Sequence, residues 1–362
     1  KFAEKRLAPN AALWDRETHF PLDAIKEMGE LGLMGILVPD SYGGASADFI
    51  SYVLALSEIS GGDGGTSVTM AVQAVAETCI LGYGNKSQKS EFLPKLANAE
   101  LLGAFMLTEP QTGSDAASIR CSAKKVGNQY VLNGTKQFIT TGSNADIALT
   151  FAVTDPNKGS RGLSAFIVPT KNPGYRVARI EHKLGQRSND TAQIVLEDVK
   201  IPPEMLLGEE GEGYKIALSN LESGRIGIAA QAVGFARAAF SSAKSYATQR
   251  KTFGKKIIDH QAIAFKLADM ATEIEAAWLM TLNSASLKAK EQPCLKEASM
   301  AKLFASEMAE RVCSAAIQIH GGYGYLSDFP VERLYRDARV CQIYEGTSEV
   351  QKLVIARALM EE

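Results

Sequence analysis

The sequence predicts an α+β chain in three successive parts: all-helical over 1–104, β-rich over 105–209, and helical again over 210–362. Three observations predict it. Apolar residues recur at three- and four-residue steps up to about Ala104. Short β-rich runs separated by turn residues then occupy 101–201. From Gly211 onward helical spacing returns and stays. A chain of 362 residues, 46% hydrophobic and 22% charged, is long enough for two or three domains and apolar enough to bury a large core.

In the first part, Pro21 opens a helix on which Leu22, Ile25, Met28 and Leu31 recur, and Gly32 and Gly35 close it. A turn over 39–44 leads to a second helix over 49–59. The glycine cluster at 61–65 breaks the chain before a third helix through Val68, Val72, Val75 and Cys79, and 88–96 forms a fourth. No G-K-[ST] follows the cluster, so it reads as a turn and not as a phosphate loop. The middle part places strands at 124–126, 130–132, 147–153, 164–168, 176–180 and 193–199. Turns fall at Asn133-Gly134, 155–157 and 171–174. Many short strands at this spacing predict a small antiparallel barrel. The last part carries helices from Tyr214 to Phe240, from Ile263 to Trp278 and from Ala301 to Ile319, each with one apolar stripe. With a final amphipathic helix through Val350 to Arg357, they predict an antiparallel four-helix bundle.

Several functions are excluded on these grounds. A formal net charge of −2 gives no footprint for nucleic acid or an anionic membrane. Five cysteines, none in C-x-x-C spacing, read as reduced thiols in a reducing compartment. Four isolated histidines argue for no metal site. No apolar run approaches a membrane span. No G-x-G-x-x-G follows a strand and opens a helix, so a Rossmann nucleotide site is not expected. The sequence opens at Lys1 inside a helical pattern and reads as trimmed, so a targeting segment is beyond judgement.

Four stretches carry chemistry. In the loop Ile343-Tyr344-Glu345-Gly346-Thr347-Ser348-Glu349-Val350, Tyr344 can wall Glu345 off from water. Gly346 lets a ligand approach, and Thr347 or Ser348 can cap the last helix. A carboxylate in an apolar slot becomes a base near neutral pH, although the same residues also read as a capped loop with a solvated Glu. Thr108 and Ser114, about Gly113, can offer donors to a planar ring, or form an ordinary Pro-Gly turn. Gly224 and Gly227 sit inside a helix, where each costs about 1 kcal/mol relative to Ala, so something packs closely there. That something is either a ligand or another helix. Arg250, Lys251, Lys255 and Lys256 surround Phe253-Gly254 and can hold a diphosphate or simply be solvated.

The loop 343–351 resembles the catalytic loop of the flavin-dependent acyl-CoA dehydrogenases. Three more stretches agree in order and spacing: Met106-Leu107-Thr108-Glu109-Pro110-Gln111-Thr112-Gly113-Ser114-Asp115, Gln249-Arg250-Lys251-Thr252-Phe253-Gly254 and Gln318-Ile319-His320-Gly321-Gly322-Tyr323-Gly324-Tyr325. The resemblance runs from Leu22 to Leu359. It implies the acyl-CoA dehydrogenase fold, non-covalent FAD and Glu345 as the base that removes the α-proton of an acyl-CoA. The β-hydrogen leaves as hydride to the flavin, giving a trans-2-enoyl-CoA, and electrons pass to an electron-transfer flavoprotein. The implied oxyanion donors are the Glu345 N–H and a flavin ribityl hydroxyl. Flavin contacts carried over by the resemblance are Phe105, Leu107, Thr108, Gly113, Ser114, Phe138, Ile139, Thr140, Thr347, Ser348 and Glu349. Arg250, Phe253, Gln261, Gln318, Ile319, Gly321 and Gly322 would contact the FAD of a neighbouring subunit in a homotetramer built as a dimer of dimers. Acyl-CoA contacts are Ser114, Glu222, Ser223, Gly224, Arg225, Tyr344 and Gly346.

Two departures stand out. Gln111-Thr112 replaces the family's common Gly-Ala or Gly-Asn, and Phe138 stands where many relatives carry Trp. In some relatives the base comes from the helix position before the Arg. Here that position is Gly224, which leaves Glu345 as the base. Leu221 to Ala229 looks most like the short-chain and short-branched-chain members, which points to butyryl-CoA or a methyl-branched relative. The alternatives are an acyl-CoA oxidase, whose chains usually carry a further C-terminal domain, and a non-catalytic acyl-CoA or flavin-binding scaffold, against which Glu345 counts. The compartment would be the cytoplasm in a bacterium or the mitochondrial matrix otherwise.

Overall fold

The computed structural model describes residues 1–361. Five helices open the chain: α1 (Ala8–Glu17), α2 (Leu22–Glu30), α3 (Phe49–Gly62), α4 (Gly64–Tyr83) and α5 (Lys86–Ala97). Asp63 alone separates α3 from α4, and its carboxylate caps α4 by accepting from the Thr66 N–H at 2.7 Å. The 61–65 cluster is therefore the expected break. Asn85 and Gln88 form a reciprocal capping box at the start of α5.

The middle part holds β1 (Gly103–Met106), β2 (Ser122–Val126), β3 (Gln129–Thr140), β4 (Ile147–Val153), β5 (Leu163–Pro169), β6 (Tyr175–Ile180), β7 (Thr191–Ile201) and β8 (Leu206–Leu207). They form one sheet in the order β6-β7-β3-β2-β4-β5-β8, with β1 on β4. The sheet is mixed, which corrects the expected antiparallel barrel. β1 runs parallel to β4 over four residue pairs, and β2 meets β4 in parallel at Ser122 and Val153. These pairs are not joined by tight turns, so no hairpin dictates their direction. Asn133-Gly134 is not a turn. It lies inside β3 at a register shift, where Asn133 exchanges two hydrogen bonds with Asp198 of β7 and a β-carbon on Gly134 would press on Cys121. The β2–β3 turn is Gly127-Asn128 instead.

The last part is α6 (Gly213–Gln249), α7 (Gln261–Ala289), α8 (Leu295–His320), α9 (Pro330–Ala338) and α10 (Ser348–Glu361). A small hairpin, β9 (Lys251–Thr252) and β10 (Lys255–Lys256), joins α6 to α7. The first and last helical parts share one core, in which Leu56 and Met70 pack with Ile226, Phe235 and Met308. A second core joins α4 and α5 to β4, β5 and the start of α6, and a third fills the sheet's other face. The space between α3, α4, α6 and the sheet is thus walled by elements distant in sequence.

Candidate active site

Glu345 lies in the loop between α9 and α10. Its backbone is left-handed, with φ of 54°, an unusual conformation for a residue bearing a β-carbon. Lys302 of α8 donates to the Gly346 carbonyl at 2.7 Å, and Gln351 of α10 donates to the same oxygen at 2.8 Å. These bonds hold the turn in that shape and drive the Glu345 side chain toward α6. There its Oε2 would sit 2.5 Å from a β-carbon on Gly224. Oε2 is shut off from solvent and has no hydrogen-bond partner.

Burial pushes the Glu345 carboxyl up to about 7, while the Arg225 and Lys302 charges pull it the other way. Arg225 is itself buried, held by Nη1 donating to Ser299 Oγ at 3.2 Å. Burial lowers its guanidinium, against Glu345 and Glu222. Lys302 is wholly buried, and burial lowers its ammonium to about 8. A carboxyl in this setting exchanges its proton near neutrality, as a general base requires. The Glu345 peptide N–H has no acceptor among the described residues.

One loop ties this centre to the sheet. Residues 182–190, between β6 and β7, wedge between the helical parts. Ser188 donates to Asp63 at 2.7 Å, and the Gln186 peptide N–H donates to Asp337 of α9. Gln186 Nε2 donates to the Tyr344 hydroxyl at 3.2 Å, while that hydroxyl donates to Gln231 Oε1. Asn189 reaches both Thr69 of α4 and Thr141 at the end of β3. Tyr344 therefore keeps its hydroxyl inside the protein, and only its ring is free to meet a ligand.

The loop after β1 is built on a buried ion pair. Lys136, wholly buried, donates to Glu109 at 2.9 Å and to the Leu107 carbonyl at 3.1 Å. Glu109 also accepts from the Arg120 and Cys121 peptides. Burial would raise this carboxyl, but Lys136 and the two peptide donors outweigh it and hold it below its ordinary value. The Gln137 N–H donates to the Thr108 carbonyl at 2.9 Å, so Thr108 and Phe138 lie side by side. Phe138 sits at a register shift in β3, with φ of 58° and 63% exposed. An aromatic strand residue is ordinarily core. Here the bulge turns it out, close along the chain to half-buried Thr140 and across the Gln137–Thr108 bond from half-buried Thr108, on whose loop Gly113 and Ser114 are exposed. An aromatic face next to hydroxyl and peptide donors fits the planar, hydrogen-bonding ring of a flavin. Ile139 and Leu107 are buried in the cores, so their side chains only support this surface. Phe105 is half-buried against Phe151.

The remaining candidates fall into two places. Ser223 is half-buried on α6, and Glu222 is turned to Lys288 at 3.0 Å and to the Cys294 thiol. At the start of α10, Thr347 Oγ1 accepts weakly from the Val350 N–H at 3.4 Å, Ser348 Oγ is buried without a partner, and Glu349 is exposed. Arg250, Phe253, Gln261, Gln318, Gly321 and Gly322 gather elsewhere, all exposed, with Ile319 buried among them. Arg250, Ile319, Gly321 and Gly322 line a cavity of about 420 Å³, and Phe253 beside it is 95% exposed. Gln318 lies about 24 Å along α8 from Lys302 at 1.5 Å per residue. This cluster is thus remote from Glu345 of the same chain. Sequence reading missed Lys302, Ser299 and Gln351. For Lys302 a signal existed: a lysine on the apolar stripe of α8 between Ala298 and Ala305.

The acyl-CoA dehydrogenase N-terminal, middle and C-terminal domain families match residues 1–100, 104–199 and 211–360. The mitochondrial short-chain specific acyl-CoA dehydrogenase of Rattus norvegicus is 47% identical over 360 residues, covering 99% of this chain and 87% of that protein. Butyryl-CoA dehydrogenase of Megasphaera elsdenii superposes with a TM-score of 0.97 at 43% identity, over 99% of this chain and 95% of that one. A chain from the work on the electron transferring flavoprotein of Acidaminococcus fermentans does so with a TM-score of 0.98 at 44% identity, over 100% and 95%. With three domain families matched in order along nearly its whole length, the chain belongs to the acyl-CoA dehydrogenases, in their short-chain type, flavoprotein oxidoreductases acting on the CH–CH bond of acyl-CoA.

Proposed function

We propose that the protein dehydrogenates butyryl-CoA or a methyl-branched relative, with Glu345 as the base. The observation that carries this is the half-buried Glu345, whose Oε2 is shut off from solvent, has no hydrogen-bond partner and is laid against the bare backbone of Gly224. Glu345 accepts the α-proton. Arg225 and Lys302 favour its charged form before that transfer. The free Glu345 N–H is available to the thioester oxygen as charge builds there. Tyr344 and the buried Gln186–Asp337 contact keep water from the proton-transfer path.

FAD, when bound, would supply the acceptor for the β-hydride, and an electron-transfer flavoprotein would take up the electrons. Thr108, Gly113, Ser114, Phe138 and Thr140 would hold its ring, with Phe105, Leu107 and Ile139 supporting them, and Thr347, Ser348 and Glu349 would add contacts from the start of α10. The binding is non-covalent. Arg250, Phe253, Gln261, Gln318, Ile319, Gly321 and Gly322 hold the FAD of a neighbouring subunit in a homotetramer. Their distance from the chain's own Glu345 and the exposure of Phe253 support that reading. Ser114, Ser223, Gly224, Arg225, Tyr344 and Gly346 meet the acyl-CoA, and Glu222 acts from the rim. The five cysteines, all free and buried, suit a reducing compartment, the bacterial cytoplasm or the mitochondrial matrix.

The test is anaerobic mixing of the FAD-loaded protein with a panel of acyl-CoAs. Butyryl-CoA or a branched relative should bleach the flavin with a higher kcat/KM than octanoyl-CoA. A colourless protein that cannot be reconstituted with FAD would remove the enzyme reading. A preference for octanoyl-CoA or longer chains would remove the chain length.

A further inference from the structure

Glu77 of α4 is wholly buried, and neither of its carboxyl oxygens has a partner. It is three residues from Ala74 and seven from Met70, so it shares their helical face, which packs into the core that α3 and α6 also enter. No opposing charge offsets its burial, and burial alone pushes its carboxyl well above the ordinary range. Tyr52 of α3 is 3% exposed, and its hydroxyl also has no partner among the described residues. That hydroxyl lies 3.1 Å from where a β-carbon on Gly227 would be. Tyr52 is close enough to feel the charges of both Glu345 and Glu77.

These facts make a line. Gly224 and Gly227 stand one turn apart on the same face of α6. The Glu345 carboxylate lies over the first and the Tyr52 hydroxyl over the second. Three residues of helix rise by about 4.5 Å, which is about the length of three carbon–carbon bonds. An acyl chain that has its α-carbon at Glu345 and follows this face of α6 therefore brings the atom three bonds on, a δ carbon or the oxygen of a γ-hydroxyl, to Tyr52. An all-carbon chain offers neither the buried, partnerless Glu77 carboxyl nor the Tyr52 hydroxyl a hydrogen bond, whereas a chain with a polar end does.

We propose that Glu77 and Tyr52 form a polar inner end to the acyl site, and that the protein prefers short acyl-CoAs bearing a hydroxyl on the γ or δ carbon. This rests on the dehydrogenase reading above. A hydroxyl both donates and accepts, so it can pair with a neutral carboxyl and a phenol at once. An ammonium group would instead require a fully buried ion pair with no further support.

The test compares butyryl-CoA, 4-hydroxybutyryl-CoA and 4-aminobutyryl-CoA. Dissociation constants are read on the FAD-loaded Glu345→Gln variant, and flavin bleaching on the parent. The hydroxylated thioester should bind about tenfold more tightly than butyryl-CoA and bleach correspondingly better. Glu77→Gln should keep that preference, Tyr52→Phe should reduce it, and Glu77→Leu should reverse it while raising the thermal midpoint. Equal or tighter binding of butyryl-CoA, with the ratio unmoved in Glu77→Leu, overturns the proposal, as does a preference for the amino thioester. A fall in the midpoint of Glu77→Leu also overturns it, because the carboxyl would then have a structural partner. If neither thioester bleaches the parent but the hydroxylated one still binds about tenfold more tightly, the dehydrogenase reading falls and the polar end stands.

Discussion

The Oε2 atom of Glu345 lies 2.5 Å from the β-carbon position of Gly224, so the two residues compete for one volume. Gly224→Ala should therefore displace the carboxylate. The obstacle it meets is the end of a flexible side chain, so the fold should survive with an unchanged thermal midpoint. Turnover should fall by about 10²-fold, the scale of a 1 Å misplacement. An alanine variant with parental turnover would show that the carboxylate moves aside without consequence.

Glu345→Gln should keep FAD and acyl-CoA binding and lose about 10²–10⁴ in turnover. Flavin bleaching together with α-proton exchange in heavy water reads this directly. Pairing Glu345→Gly with Gly224→Glu should restore part of the loss, because both backbones face the same point. If Glu345→Gln exchanges and bleaches like the parent, the base lies elsewhere.

The acid limb of kcat/KM should inflect at about 7, since protonated Glu345 cannot accept a proton. Lys302→Met removes one charge that opposes the upward shift, so the limb should move to higher pH. Stability follows the same sign. Below pH 4.5 Glu345 is protonated whether the chain is folded or not, and it contributes nothing. Between 4.5 and about 7 only the unfolded chain is ionised, so the parent loses stability as pH rises. Glu345→Gln should gain on the parent across that window and hold its advantage above it. Denaturant midpoints at pH 4 and pH 8 measure the difference.

Lys136→Met should destabilise the protein by about 3–5 kcal/mol, because it leaves Glu109 charged and buried without its partner. Loss of FAD should accompany it, since Glu109 and Lys136 together shape the Thr108 loop. Denaturant melts with and without added FAD separate the two effects.

Arg250→Ala should weaken FAD retention by about 1.5–3 kcal/mol, the worth of a charge-assisted contact, and loosen the oligomer. Acyl-CoA binding should change far less. An unchanged FAD titration would take Arg250 out of the site.

Helix periodicity revealed the long helices because each buries a single stripe. Local pattern was a poorer guide in the sheet. Asn133-Gly134 has the composition of a hairpin turn, yet β7 supplies Asp198 opposite it, and the pair makes a bulge. Phe138 has the composition of a core residue, and only the register of β3 against β7 turns it outward. Glu345 and Gly224 were each legible as unusual residues. Their contact was not legible, because it depends on how the turn before α10 meets α6. Lys302, Tyr52 and Glu77 carry no local signature beyond a polar group on an apolar stripe.

The cluster about Arg250 lies far from the Glu345 of its own chain, which has a consequence for mixtures. If each FAD is held by two subunits, no single chain contains a whole site. An Arg250→Ala chain, poor in FAD, and a Glu345→Gln chain, poor in turnover, would then repair one another in a hybrid pair. One of its two sites would combine an intact Glu345 with an intact Arg250, and the other would carry both defects. Co-expression of the two defective alleles should thus yield more activity than either alone, and complementation in the cell becomes a ruler for which residues are shared across the interface.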